Sequence, residues 1–192
     1  MSPKGWYSRG YLPHFDSPET VQFVTFRLCD SLPAAVAQAL AALSDNLAQT
    51  DKELDAGRGA CWLGRTDIAG LVETALLHFD GERYRLLAWC IMPNHVHVVV
   101  EPGADNPLDR IVQSWKSYTA NQANRMLGHS GMFWHRDYFD RYVRNEGHLN
   151  RTIDYVESNP VKAGLVAESV KCVGVRRGYA HEPARRRRSG RD

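Results

Sequence analysis

The 192-residue sequence predicts an α+β fold, a four-stranded antiparallel sheet with helices packed on it. Three observations carry this prediction. Residues 83–91, largely apolar, and 95–101, rich in valine, read as two strands joined by a short Pro93-Asn94 link, which makes them an antiparallel hairpin. Strand-like runs also stand near each end of the domain, at 21–28 and 138–143. Between these strands lie segments with helical rather than alternating spacing of apolar residues.

Residues 1–20 form an N-terminal arm punctuated by Gly5, Gly10, Pro3 and Pro13, so irregular structure is expected there. Its aromatics interleave with Arg9 and His14, a mixture suited to stacking on unpaired bases or to packing on the domain. Val21 to Leu28 alternates β-branched and aromatic residues and is the first strand. Pro33 opens an alanine-rich helix to about Asp55, with Val36, Leu40, Leu43 and Leu47 as its stripe. Thr66 is placed to cap a second helix over 67–79, whose Ile68, Leu71, Val72, Ala75, Leu76 and Phe79 face the core.

After the hairpin, Asn106 followed by Pro107 starts a helix over 107–127, buried through Leu108, Ile111, Val112, Trp115 and Tyr118. The aromatic, basic block Phe133 to Arg144 leads into the fourth strand at 138–143. A last helix runs from Gly147 to about Asn159 and docks through Leu149, Ile153 and Val156; Pro160 disfavours helical geometry at Asn159 and is expected to end it. Strand, helix, two strands, helix, strand is the ferredoxin-like split βαβ order, with helices on one face. The domain is therefore set at 21–173, with a basic tail at 174–192.

The charge distribution is uneven. Net charge is +2, yet residues 176–192 alone carry +5 through seven arginines, leaving −3 on the rest. Such an end is either a solvated tail or an arm that seeks phosphate. The longest apolar stretch, Leu86 to Met92, is too short to cross a bilayer, and Met1 to Trp6 lacks the apolar segment of a signal peptide. No membrane association is expected, and a cytoplasmic location follows. Four scattered cysteines without a Cys-x-x-Cys pair agree with a reducing compartment.

The chemistry-bearing stretch is His95-Val96-His97. Side chains alternate along a strand, so His95, His97 and Val99 share one face while Val96, Val98 and Val100 take the other. Two neutral imidazoles on one rigid strand supply two metal-ligand positions at little ordering cost. Half-exposed strand residues satisfied by water or backbone account for a lone His-x-His as well. The last helix adds further candidates. At about 100° per residue, His148, Thr152, Tyr155 and Asn159 fall within roughly a 60° sector beside the apolar stripe. A free phenol attacks weakly, so Tyr155 as a nucleophile needs a polarised electrophile or an activating neighbour.

Met92-Pro93-Asn94-His95-Val96-His97, Trp115-Lys116-Ser117, the Trp134 to Arg144 block, Ile153 to Leu165 and Arg9 to Phe15 together resemble the single-tyrosine HUH transposases, in particular the REP-associated tyrosine transposases. These motifs span most of residues 9–166. The resemblance implies a metal-dependent endonuclease and strand transferase for single-stranded DNA, with Mg2+ or Mn2+ as cofactor. It implies His95, His97 and Asn159 as metal ligands and Tyr155 as the catalytic nucleophile that forms a 5′-phosphotyrosine link and frees a 3′-hydroxyl. Family members act on hairpins of repeated extragenic palindromes and read a short unpaired foot beside the stem. Arg9, Tyr11, His14, Lys116, Arg136 and Arg141 are then expected to contact DNA, in a monomer or a homodimer. Asparagine stands at 159 where many transposase relatives have glutamine, which keeps the amide on a shorter arm.

Two other enzymes with this histidine spacing do not fit. A histidine-triad hydrolase wants a third histidine where Val99 stands, and an amidohydrolase barrel needs about 250 residues. A hairpin-DNA-binding module without cleavage is the alternative from a different functional class.

Overall fold

The computed structural model describes residues 5–8, 13–17, 19–41, 47–164 and 173–175. In chain order the elements are strands β1 (Gly5–Ser8), β2 (Pro13–Asp16) and β3 (Gln22–Arg27), helices α1 (Ala34–Ala41), α2 (Leu47–Asp55) and α3 (Thr66–Leu77), strands β4 (Tyr84–Ile91) and β5 (His95–Pro102), helix α4 (Leu108–Leu127), strand β6 (Phe139–Tyr142), helix α5 (Glu146–Lys162) and strand β7 (Val173–Val175). The main sheet has the order β6-β3-β5-β4-β7, and each neighbouring pair is antiparallel. The four expected strands are all present. The short strand β7 extends them at the β4 edge, and residues 176–192 of the expected basic tail lie outside the described residues.

Both faces of the sheet are covered. Val24, Phe26, Val96, Val98 and Val100 pack against Ile68, Val72 and Leu76 of α3 and against Ile111, Val112 and Trp115 of α4. Val21, Phe23, Leu87, Ala88, Cys90 and Val99 pack on the other side against Leu149 and Val156 of α5. The expected single-faced arrangement thus holds for α3 and α4, while α5 takes the opposite face. A register shift between Leu86 and Ala88 makes this possible within β4. One extra residue reverses the alternation, so Leu86 faces α3 and α4 while both Leu87 and Ala88 face α5.

Several local expectations are corrected. The arm is not wholly irregular: β1 and β2 pair antiparallel, with Trp6 opposite Phe15 and Tyr7 opposite His14. The alanine-rich helix is described as two helices, and residues 42–46 between them lie outside the described residues. Thr66 is the first helical residue rather than the cap, and Pro107 rather than Asn106 takes the cap position of α4. Tyr118 is 50% exposed, and the buried position on that turn is Thr119, which lies closer in angle to Trp115. Helix α5 continues through Pro160 to Lys162. In the last turn Pro160 forfeits one hydrogen bond, and the end is closed by Ala163 N–H to Asn159 O at 2.9 Å and Gly164 N–H to Val161 O at 3.0 Å.

Candidate active site

His95 and His97 sit at the start of the central strand β5, and both are fully buried. Their Nε2 atoms converge to 3.0 Å. Each ring is fixed through its other nitrogen: His95 Nδ1 donates to Asn94 Oδ1 at 2.8 Å, and His97 Nδ1 meets Thr25 Oγ1 at 2.8 Å. Thr25 stands directly opposite His97 in the β3–β5 ladder, so sheet register sets that contact. Asn94 is held in turn, because its amide donates to Leu54 O at 3.0 Å and Arg58 O at 3.2 Å. With His95 Nδ1 protonated, its Nε2 accepts from His97 Nε2–H, and Thr25 donates its hydroxyl to His97 Nδ1. Rotation of that hydroxyl lets His97 change tautomer and frees both Nε2 lone pairs together.

Burial acts strongly on this pair. It pulls His97 down to about 3, and it holds His95 well below its ordinary value with His97 adding to the shift. Both rings are neutral, which is the form that ligates a cation. The fit to a divalent ion is good, because adjacent ligands about 2.1 Å from an octahedral ion stand about 3.0 Å apart. Asn159 carries a carbonyl oxygen of suitable hardness: it is 3% exposed, and its Oδ1 has no hydrogen-bond partner.

Tyr155 comes from α5 on the same face. Its ring centroid lies 5.8 Å from that of His97 and 6.0 Å from that of Phe23, and Phe23 stacks on His97 at 5.5 Å. The Tyr155 hydroxyl donates to Oδ2 of Asp51 on α2, and Asn159 bonds the same hydroxyl from one turn along the helix. Burial, then the charge and hydrogen bond of Asp51, push the phenol above its ordinary value; the Asn159 bond opposes this. Asp51 itself is raised to about 7, chiefly by burial, with the Tyr155 bond opposing and Asp55 adding. Its Oδ1 has no partner and lies 4.0 Å from His97 Nε2. Among the described residues, no three His, Cys, Asp or Glu side chains are already drawn together closely enough to hold an ion.

Asp51, Thr25 and Asn94 were not anticipated. A signal existed for Asp51, since Val36, Leu40, Leu43 and Leu47 continue by a four-residue step to position 51, which puts an acid in line with the apolar stripe. The residues expected at DNA are distributed differently. Arg9 and Tyr11 lie outside the described residues. His14 is buried at 1% exposure between Asp137 and Asp140, where it anchors the β1–β2 hairpin to β6. Burial alone would lower it, but hydrogen bonds and charge from Asp137 and Asp140 outweigh this and raise it to about 9. Lys116 donates to the carbonyls of His135 at 2.7 Å and Arg136 at 3.0 Å, so it braces the loop before β6. Arg136 is exposed; Arg141 is half-buried near Phe139.

The family model described as transposase IS200 like matches residues 73–159, a span that opens in α3, contains the histidine pair and closes on Asn159. Over that segment, somewhat under half of its length, the chain is similar to the IS200-like transposases. A curated relative from Haemophilus influenzae, provisionally named REP-associated tyrosine transposase, is 27% identical over 93 residues, 43% of this chain and 53% of that protein. The chain therefore spans about half the length of the curated relative it matches. The solved structure of a REP-associated tyrosine transposase bound to a REP hairpin matches with a TM-score of 0.50 at 19% identity, covering 86% of this chain and 76% of that one. That likeness establishes the shared α+β fold. His95, His97, Lys116, Arg136, Arg141, Tyr155 and Asn159 fall inside the matched family segment, whereas Arg9, Tyr11, His14 and Asp51 lie before it.

Proposed function

We propose that this protein is a metal-dependent endonuclease and strand transferase that acts on single-stranded, palindromic hairpin DNA through a 5′-phosphotyrosine intermediate. The observation that carries the reading is the pairing of a converged, neutral imidazole couple with a tyrosine hydroxyl on the facing helix. His95 and His97 hold Mg2+ or Mn2+, with Asn159 as a further oxygen ligand. Such an ion, when bound, neutralises charge on the phosphate and stabilises the charge that develops in transfer.

Tyr155 supplies the nucleophile. Its oxygen forms a bond to phosphorus as its proton passes to Asp51 Oδ2 and the bond from phosphorus to the 3′ oxygen breaks, and the departing oxygen takes up a proton to become the 3′-hydroxyl. Asp51 accepts the hydrogen bond of the phenol and Asn159 fixes its direction, so the oxygen is aimed before DNA arrives. Reversal of the step with a different 3′-hydroxyl transfers the strand.

Incubation of the protein and Mn2+ with a hairpin oligonucleotide carrying a single-stranded foot tests this. A nicked product and a protein–DNA adduct that survives denaturing electrophoresis are expected. Tight hairpin binding without either product contradicts cleavage and supports a DNA-binding module instead.

A further inference from the structure

A cleft of about 600 Å³ opens at the N-terminal end of α5, lined among others by Phe15, Glu19, Tyr142, Arg144, Glu146 and Leu149. Its volume falls in the range of about 300–1,000 Å³ typical of sites for small organic groups. Leu149 belongs to the same apolar cluster as Tyr155, so the cleft lies on the sheet face that carries the tyrosine. From Leu149 to Tyr155 the helix rises only about 9 Å.

One part of this region is aromatic. Trp6 stands opposite Phe15 in the β1–β2 hairpin, and both rings meet Tyr142 of β6. The Phe15 centroid lies 5.1 Å from that of Trp6 and 5.0 Å from that of Tyr142. Trp6 is nevertheless 63% exposed, so the group is a surface platform and not a piece of core. The other part is basic. The Arg144 guanidinium lies 5.6 Å from the centre of the Tyr142 ring. Burial, then the charges of Arg151, Arg141 and Arg144, hold the His148 imidazole below its ordinary value, so three arginines gather around the first turn of α5.

Aromatic faces beside a cationic groove match the two parts of a nucleotide: the rings stack on a base, and the guanidinium groups take its phosphate. Glu19 and Glu146 supply acceptors for an exocyclic amino group. A paired base hides its faces within the stack, so the occupant is an unpaired one. We propose that this cleft is a subsite for one unpaired base of single-stranded DNA, stacked against Phe15 and Tyr142, with its phosphate held by Arg144 and Arg151. This rests on the reading of the protein as one that acts on single-stranded DNA.

The test is fluorescence anisotropy of the full-length protein in EDTA, with a palindromic hairpin that carries an unpaired foot. The same hairpin is then made with each foot base in turn replaced by an abasic site. Wild type loses about tenfold in affinity at one foot position. Tyr142→Ala loses about as much with the intact foot and nothing further at that position. Tyr142→Phe keeps the ring and binds like wild type. Trp6→Ala, at an exposed position where folding is not at stake, shows the same coupling. Arg144→Gln lowers the slope of log K against log salt by about 0.7. Losses from the abasic site that simply add to those of Tyr142→Ala and Trp6→Ala overturn the inference, and a wild type that still nicks the hairpin leaves the proposed function standing. A wild type that neither binds nor nicks a footed hairpin overturns the proposed function and the subsite with it.

Discussion

The Tyr155 hydroxyl donates a hydrogen bond to Asp51 Oδ2, although the two residues lie 104 positions apart and on different helices. The contact sets the tyrosine oxygen on the face of the sheet that carries His97, with the ring edge-on to both His97 and Phe23. The site is thus assembled from four elements, β3, β5, α2 and α5.

Thr25 is the first place to test that assembly. It fixes His97 Nδ1 from the neighbouring strand, and it is 5% exposed. Thr25→Val keeps the shape and removes the hydroxyl, leaving His97 Nδ1 unpaired. Mn2+ affinity measured by calorimetry is expected to fall by about 10- to 100-fold, with the melting temperature lowered only slightly. Unchanged affinity would mean that the hydroxyl does not orient the ring.

Stability should depend on pH through His14. Its folded value of about 9 lies above the ordinary 6.5, so protonation favours the folded state. The contribution is fully present below about pH 6.5 and is lost as pH rises through about 9, with a size on the order of 2 kcal/mol. Chemical denaturation at pH 6.5 and pH 9.5 checks this: wild type loses stability over that interval by more than His14→Gln does. Equal losses in the two proteins would remove His14 from the account.

Much of this fold was legible because binary patterns and turn chemistry agree. Alternation along 95–101 correctly separated His95, His97 and Val99 from Val96, Val98 and Val100, since β5 is regular and central. Alternation misleads in β4, where the bulge at Leu87 reverses the faces through a pairing the sequence does not encode locally. Pro160 misleads for another reason: burial and closure of the last turn outweigh its local preference. His14 looked like a surface contact because its acidic partners, Asp137 and Asp140, arrive from the far end of the chain. Asp51 was visible as an acid on an apolar stripe, but its meaning depends on Tyr155, which only tertiary packing brings to it.

The arginines of residues 176–192 give a prediction about affinity rather than chemistry. Deleting those residues removes seven positive charges, and the dependence of hairpin binding on salt should flatten. Each arginine that contacts phosphate contributes about 0.7 to 0.9 to the slope of log K against log salt. Fluorescence anisotropy across a salt series measures it, and an identical slope after deletion would assign the tail no phosphate contact.

The central claim is that Tyr155 carries the DNA. After reaction with a hairpin and Mn2+, nuclease trimming and mass spectrometry of proteolytic peptides should locate a nucleotide phosphate on the peptide that contains Tyr155, and Tyr155→Phe should bind the hairpin but form no adduct. A phosphate located on Tyr138 or Tyr142, or an undiminished adduct in Tyr155→Phe, would contradict it.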